Sequence, residues 1–187
     1  GDSLWEFDSS EIGQKLPLYR IPKTPLAESE ALKARRAEKP NIIFFLLESH
    51  RGLNVGFMNP NEPSPTPFLD SIAKHSHAWV RMHASGLPTT GGVLSTHLGI
   101  PHHSKLAEAT DLAHVNLPSF ASVLTDSGYT THYFSAADPA WDNLGVWMAK
   151  WYTAEHYDRH FEDDSSFFDK TVSAIRDSLA TGDKPFL

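Results

Sequence analysis

The feature that most constrains this chain is a short apolar segment that stops abruptly at a carboxylate. Residues 42–47 read Ile-Ile-Phe-Phe-Leu-Leu, and Glu48 follows directly. The segment is short for a helix, is rich in β-branched and aromatic residues, and lacks the alternation of a half-exposed strand. It therefore predicts a β-strand over 41–47 that is buried on both faces, as in a parallel sheet covered by helices. Because ligands bind at the carboxyl ends of such strands, Glu48 lies where a functional group is expected.

Helical and strand-like patterns alternate after this segment. Apolar spacing, capping residues and terminal glycines predict helices over 67–76, 93–98, 118–127 and a stretch from 168 to 179. Strands are predicted over 78–83 and 130–135, and 184–187 look like the opening of another. This order predicts an α/β fold with a mainly parallel sheet flanked by helices. Because the pattern stops as a strand opens, we expect the fold to be incomplete in this chain.

The first 39 residues have a different character. Prolines at 17, 22 and 25 interrupt them, and a charged stretch follows from 28 to 39. Residues 26–38 are compatible with a short polar helix, but their large apolar residues form no stripe along it. We therefore predict two parts, an extended or partly helical lead-in or linker over 1–39 and the N-terminal part of an α/β domain over 40–187.

Charge and cysteine content exclude several functions. The chain has 187 residues, a formal charge of −7 and no cysteine. A nucleic-acid-binding protein normally carries a clustered basic surface, so we expect no nucleic acid partner. Without cysteine there is no disulfide, no thiolate metal site and no cysteine nucleophile.

Two places in the sequence have side chains suited to catalysis. Glu48 is either an exposed loop carboxylate or a ligand for a divalent cation. Thr89 and Thr90 occur in a Pro-Thr-Thr-Gly-Gly loop before a predicted helix. They either cap a turn, or one of them is a nucleophile near backbone N–H groups that favour an anion. A threonine hydroxyl is a weak nucleophile unless a base or a metal activates it.

Other polar clusters allow structural as well as functional interpretations. The chain has 11 histidines, but the closest sets, at 75 and 77 and at 102 and 103, lack the helical spacing of a two-histidine metal site. For these a capping or solvated role is favoured. Trp141 begins a Trp-Asp-Asn sequence after a predicted strand and either contacts a ligand or packs in the core. The acidic run 162–164 precedes a helix, where negative charge is favourable.

Taken together, five segments of the sequence resemble the sulfatase-like branch of the alkaline phosphatase superfamily. The ending Leu-Leu-Glu-Ser at 46–49 is closest to lipoteichoic acid synthases and to phosphoglycerol or phosphoethanolamine transferases, whereas sulfatases usually have paired aspartates there. The sequence Thr-Pro-Phe-Leu-Asp at 66–70 is similar to a helix start of the family. Residues 88–101 resemble its nucleophile loop and the helix that follows. Residues 117–131 and 184–187 resemble the next helix and strands.

The resemblance implies particular roles for individual residues. It implies that Glu48 and Thr89 bind one divalent metal ion, with Mn, Mg, Zn and Ca not distinguished. It also implies that Thr89 is the nucleophile, with Thr90 as the second choice, and that Trp141 contacts the substrate head group. The other metal ligands of the family lie beyond residue 187, so the resemblance implies that this chain alone is inactive.

These implications lead to one expected function and two alternatives. We expect a metal-dependent phosphotransferase or hydrolase that acts on phosphoglycerol or other phosphodiester groups through a threonine nucleophile. Such an enzyme would be extracytoplasmic, periplasmic or at the cell surface, and tethered to a membrane. The alternatives are a sulfatase-like sulfuric ester hydrolase and a non-catalytic binding domain on the same scaffold. We also expect an exposed sheet edge or apolar face to favour self-association.

Overall fold

A computed structural model describes residues 5–7, 20–22, 38–59, 63–103, 107–160 and 163–187. The chain divides into two compact units, Gly1–Pro40 and Asn41–Leu187. In the first unit, β1 (Trp5–Phe7) pairs antiparallel with β2 (Arg20–Pro22). Most of the polar helix considered over 26–38 lies outside the described residues. That the first unit serves as a lead-in stays a prediction.

The second unit has four helices before its first strand and then alternates short parallel strands with helices. Its helices are α1 (Pro67–Ala73), α2 (Thr89–Leu98), α3 (Glu108–Asp111), α4 (Phe120–Asp126), α5 (Leu144–Trp151) and α6 (Asp164–Ala174). A π-helical turn, Ile175–Leu179, continues α6, and 3-10 turns occupy Gly52–Asn54, Gly56–Met58 and Trp141–Asn143. Its strands are β3 (His132–Ser135) and β4 (Ala154–Tyr157). No helix in the described ranges is long and apolar enough to cross a bilayer.

The sheet confirms the predicted α/β class. Strands β3 and β4 are parallel, with His132 opposite Ala154 and Ser135 opposite Tyr157, and α5 connects them. On the other side of β3, Phe186 forms a parallel bridge with Thr130. Residues 184–187 therefore run along the sheet, as the sequence indicated. The amide of Ile42 donates to the Phe186 carbonyl at 2.8 Å, so residue 42 borders the same layer.

The core forms where α5 packs against α2 and α4. Trp147, Met148 and Trp151 of α5 are almost fully buried, together with Val93 and Leu94 of α2. Both indoles also donate hydrogen bonds, because a buried N–H without an acceptor is costly. The Trp147 indole donates to the carbonyl of residue 109 at 3.1 Å, and that of Trp151 to the carbonyl of residue 117 at 2.8 Å. These bonds fasten the loop 107–117 to the core.

The end of one helix confirms its prediction, and the start of another needs correction. Helix α2 ends at Leu98 and is capped by Gly99, whose left-handed φ of 66° suits glycine, and this confirms the predicted stop. Helix α4 begins at Phe120, two residues after the predicted 118. Helix α4 begins at a capping box, in which the side chain of Ser119 accepts from the amide of Ser122 at 3.1 Å. The start of α2 differs from the prediction, because the helix begins at Thr89 rather than at Val93.

The predicted strand 41–47 is wrong in two respects. The backbone of this described stretch meets the sheet at Ile42 and then leaves it, so no regular strand forms there. Residues 43–47 are exposed, with Phe45 at 63%. Phe44 contacts Phe120 of α4, and Phe45 contacts Phe168 of α6, at centroid distances of 5.4 and 6.2 Å. Because such single contacts cover little of each ring and the backbone leaves the sheet, the apolar run stays exposed among the residues described.

Two further predictions need correction near residue 70. Helix α1 ends at Ala73, earlier than the predicted 76, and its apolar residue Phe68 is 74% exposed. The predicted strand 78–83 is wrong, because residues 80 and 81 form a turn and Trp79 is 75% exposed. An apolar pattern folds into a strand only when a neighbouring strand pairs with it, and the described chain offers none at this place.

Candidate active site

Thr89 and Glu48 lie together although 41 positions separate them in the sequence. The Thr89 hydroxyl donates a hydrogen bond to Glu48 Oε1 at 2.8 Å. The hydroxyl of Ser49 donates to the same carboxylate oxygen at 2.9 Å. A carboxylate and a hydroxyl in direct contact can hold a cation jointly, or the carboxylate can accept the hydroxyl proton.

Helix α2 adds the field of its N-terminus to this pair. Thr89 is the first helical residue, and Pro88 precedes it without any side-chain cap. The amides of the first turn have no acceptor within the helix, so they carry partial positive charge. An anionic group brought to Thr89 would therefore be stabilised at this end of α2.

The loop before α2, which contains Gly86, packs closely against the first turn of that helix. A Cβ added to Gly86 would lie 2.4 Å from the carbonyl carbon of Gly91, a distance that backbone atoms cannot relieve. A Cβ on Gly91 would lie 2.8 Å from Nδ1 of His102. Glycine is therefore required at 86 for the loop to pack on the first turn of α2.

The segment that follows Glu48 is held by α1. Asp70 accepts from the amide of Phe57 at 2.9 Å, and the hydroxyl of Thr66 accepts from the amide of Gly56 at 3.0 Å. A Cβ at Gly56 would lie 2.4 Å from the Asp70 carboxylate. The Thr-Pro-Phe-Leu-Asp sequence thus has a structural use, which is to clamp residues 56–57 against the helix start.

Thr90 faces a different carboxylate from Thr89. Its side chain is buried, with 3% exposed, and its hydroxyl donates to Asp142 Oδ2. Trp141, the predicted substrate contact, lies beside Asp142 in a 3-10 turn and is 45% exposed. The structure therefore puts Trp141 next to the partner of Thr90 and leaves its indole accessible.

The histidine sets behave as structural or solvated groups. His75 and His77 are exposed, as is His103, and His102 lies beside Gly91. In the described parts of the chain, no three His, Asp or Glu side chains group as a metal site would require. Glu162, in the acidic run, lies outside the described residues, while Asp163 caps α6 by accepting from the amide of Ser166 at 2.8 Å.

The buried histidine is one that sequence reasoning did not select. His97 is 3% exposed and lies between Phe120 and Trp151, at centroid distances of 5.0 and 5.1 Å. Burial lowers the pKa of His97, against the weaker effect of its bond to the Val93 carbonyl. Its Nε2 lies 2.9 Å from the hydroxyl of Tyr152, so the neutral ring has a partner on both nitrogens.

The donor set around Glu48 fits a hard divalent cation in kind but not in number. Glu48, Thr89 and Ser49 supply oxygen atoms, which Mg, Mn and Ca prefer. Such cations take six or more ligands, so further ligands or water would have to complete the shell. The described residues therefore fit part of a metal site, and Glu48 with Thr89 would be its contribution from this chain.

The parallel strands β3 and β4 with helices packed on them define an α/β protein, in which Glu48 and Thr89 meet at the N-terminus of α2. The family model named Sulfatase matches residues 40–187, and the chain therefore belongs to the sulfatase family of the alkaline phosphatase superfamily. Members of this family are hydrolases that generally depend on a divalent metal. No curated protein and no solved structure matches the chain significantly.

The contact between Asp142 and Thr90 is a feature that sequence reasoning missed. In the sequence Asp142 is only a polar neighbour of Trp141, and Thr90 is only an alternative to Thr89. The two side chains are 52 positions apart, and no spacing rule connects them. A polar residue in the loop after a parallel strand was the one available signal, because such loops line the ligand-binding edge of a sheet.

Proposed function

We propose that this chain carries the nucleophile of an extracytoplasmic, membrane-tethered phosphotransferase or hydrolase that uses a divalent metal. Its substrates would be phosphoglycerol head groups or other phosphodiesters, as in the lipoteichoic acid synthase branch. The observation that carries the proposal is the hydrogen bond of 2.8 Å between Thr89 and Glu48 at the start of α2.

The reaction follows from the two side chains. Thr89 Oγ1 forms a bond to phosphorus while the bond from phosphorus to the leaving alcohol breaks. The threonine proton passes to Glu48 Oε1, which already accepts its hydrogen bond. The departing alcohol oxygen, on the opposite side of phosphorus, takes its proton from water. Water or a second alcohol then attacks the phosphothreonine, takes the phosphoryl group, and returns a proton to Thr89.

Two further features support charge stabilisation. The amides at the start of α2 would donate to the equatorial oxygens of the phosphoryl group, where negative charge is concentrated. A divalent cation held by Glu48 and Thr89 would supply the remaining positive charge and lower the hydroxyl pKa of Thr89, and water rather than Glu48 would then take the threonine proton. Trp141, with its exposed indole, is suited to contact the apolar part of a head group.

A sulfuric ester hydrolase is the second candidate, and the family match favours it. Against the usual sulfatase route, the chain has no cysteine and no Cys/Ser-x-Pro-x-Arg sequence, which formylglycine formation requires. A non-catalytic domain on the same scaffold is the third candidate. The contact between Glu48 and Thr89 would then be a cap without chemical consequence.

The test compares Thr89→Ala with Thr96→Ala in the natural protein. Thr96 is an exposed threonine of the same helix, and its hydroxyl donates to the Gly92 carbonyl. We expect Thr89→Ala to lower kcat by at least about 1,000-fold on a phosphodiester, as for other nucleophile removals, and Thr96→Ala to leave it unchanged. Mass spectrometry of quenched turnover should find the phosphoryl group, still esterified to the alcohol that did not leave, on Thr89.

Each alternative has its own outcome in the same experiment. Turnover of an aryl sulfate with sulfate on Thr89, and no turnover of phosphodiesters, would establish the sulfuric ester hydrolase. Equal activity of Thr89→Ala and the wild type, or no activity on either ester, would favour the non-catalytic domain.

A further inference from the structure

The 3-10 turn Trp141–Asn143, which follows β3, contacts helix α2 through Asp142. Asp142 and Asn143 both have left-handed backbones, with φ of 47° and 58°. Asp and Asn tolerate this conformation better than most residues, but usually as single positions, so two in succession still carry a cost. Such strain persists only where surrounding contacts hold it, and it is often found at functional sites.

Contacts on both sides hold this turn in place. Before it, the amide of Trp141 donates to the Asp138 carbonyl at 2.9 Å. After it, the amide of Gly145 donates to the Pro139 carbonyl at 2.8 Å. The side chain of residue 143 reaches the carbonyl of residue 109 at 3.4 Å. The backbone at Asp142 is therefore held by its own loop, and the contact with Thr90 then places the carboxylate.

The contact with Thr90 separates two chemically equal hydroxyls. Thr89 and Thr90 are adjacent, and each donates to a carboxylate, Glu48 and Asp142 respectively. Thr90 is buried while Thr89 is only partly so. Because consecutive residues of a helix point about 100° apart, holding Thr90 against Asp142 also fixes the direction of Thr89.

We propose that Asp142 is a positioning residue that binds the Thr90 hydroxyl, orients Thr89 towards Glu48, and keeps Thr90 from acting as the nucleophile. The proposal rests on the proposed function of Thr89. It explains why a strained backbone is retained beside the nucleophile helix. It also explains why a threonine with its hydroxyl buried follows the reactive one.

The experiment uses Asp142→Ala and Thr90→Val in the natural protein, with Asp169→Ala and Thr96→Val as matched controls. Asp169 is an exposed carboxylate of α6, and Thr96 lies on the same helix as Thr90. We expect both test variants to lower kcat by about 10- to 100-fold with KM within about twofold, because a small displacement of a reacting atom has effects of this size. Mn²⁺ affinity, read by electron paramagnetic resonance, should fall about 10-fold, as for other lost supporting contacts of a metal ligand.

The site of covalent modification gives a readout that a purely structural role would not change. In the wild type the group should be found on Thr89 alone. In Asp142→Ala the Thr90 hydroxyl loses its partner, and a fraction of the transferred group should then be found on Thr90. Thr90→Ser, which keeps the hydroxyl, should restore kcat towards the wild type, and the double variant Asp142→Ala/Thr90→Val should be no worse than the more severe single one.

Failure of this inference differs from failure of the proposed function. If Thr89→Ala is inactive while Asp142→Ala and Thr90→Val match their controls in kcat and Mn²⁺ affinity, the positioning role is wrong and the nucleophile stands. If Thr89→Ala retains full activity, the proposed function itself is wrong. Should Asp142→Ala not fold, Thr90→Val decides alone, since it preserves the shape of the side chain.

Discussion

Two apolar segments of this protein differ in their burial. In helix α5, one face is buried almost completely through Trp147, Met148 and Trp151. The run 43–47, which is at least as apolar, stays exposed along its whole length. The difference lies in their partners, because α5 packs against α2 and α4 while the run meets single rings of α4 and α6. Apolar character marks a segment for burial, but tertiary neighbours decide whether burial occurs.

The candidate active site joins these two environments. Thr89 begins α2, whose Val93 and Leu94 belong to the buried cluster. Glu48 ends the exposed run and is itself exposed. The hydroxyl is thus positioned by a packed core, whereas the carboxylate is positioned by local contacts with Thr89 and Ser49.

The largest expected effect tests whether the two regions differ in stability. Trp147→Ala should lower the free energy of unfolding by about 3–5 kcal/mol, because it leaves a cavity and removes the bond to the carbonyl of residue 109. Trp79→Ala removes the same side chain from an exposed place and should change it by less than about 0.5 kcal/mol. Urea unfolding followed by circular dichroism measures both. Equal losses would contradict the comparison.

The next effect concerns the close packing before α2. Gly86→Ala should lower the free energy of unfolding by about 1–3 kcal/mol, because the added Cβ would collide with backbone atoms of Gly91. Gly92→Ala is the matched control, since its Cβ meets only the Gly86 carbonyl oxygen at 3.4 Å. Alanine also favours a helix over glycine, so the control should be neutral or stabilising by up to about 1 kcal/mol. Thermal unfolding that ranks the two in the reverse order would overturn this assignment.

A smaller effect should appear as a pH dependence of the packed region. Burial lowers the pKa of His97 in the folded protein below its unfolded value, so the unfolded state binds the proton more readily. The free energy of unfolding is therefore highest above about pH 6.5, the ordinary pKa of histidine, and it declines as the pH falls below that value. Burial, and to a smaller extent the neighbouring His156, also lowers the pKa of His132. We therefore expect His132 to lower the free energy of unfolding at acid pH in the same way.

Substitution of His97 isolates its share. Urea midpoints measured between pH 7.5 and pH 5 should fall less steeply for His97→Gln than for the wild type. The exposed His77 supplies the control, and His77→Gln should keep the wild-type slope. An unchanged slope for His97→Gln would show that its burial has no energetic consequence.

The smallest stability effect belongs to the exposed run. Phe45→Ser removes a ring that is 63% exposed and should change the free energy of unfolding by less than about 1 kcal/mol. It should instead reduce self-association, which contiguous exposed apolar side chains favour. Sedimentation velocity at increasing concentration would measure this. A wild-type chain that remains monomeric throughout would refute the predicted self-association.

The helices that the sequence predicts carry local signals of their own. A left-handed glycine after α2, a capping box before α4 and helical apolar spacing along α6 each act within a few residues. Helix α5 also carries a local signal, an apolar stripe at 144, 147, 148 and 151, which the sequence interpretation did not use. Strand β4 carries none, because its sequence Ala-Glu-His-Tyr becomes a strand only by pairing with β3.

The site was predictable in part. Family resemblance singled out Glu48 and Thr89, and the structure brings their side chains into contact, although their catalytic role stays a prediction. The link between Thr90 and Asp142 was not predictable, because two common residue types 52 positions apart leave no pattern. Trp141 lies near that link, and its contact with substrate also stays a prediction.

The sequence by itself determined the α/β class, the C-terminal end of α2, and the residue types available for chemistry, because glycines and apolar spacing act through neighbours along the chain. Only the tertiary structure decided which apolar segment was buried and which carboxylate met which hydroxyl. Those outcomes depend on contacts between distant residues, whose geometry is set when α2, α5 and the strands pack together.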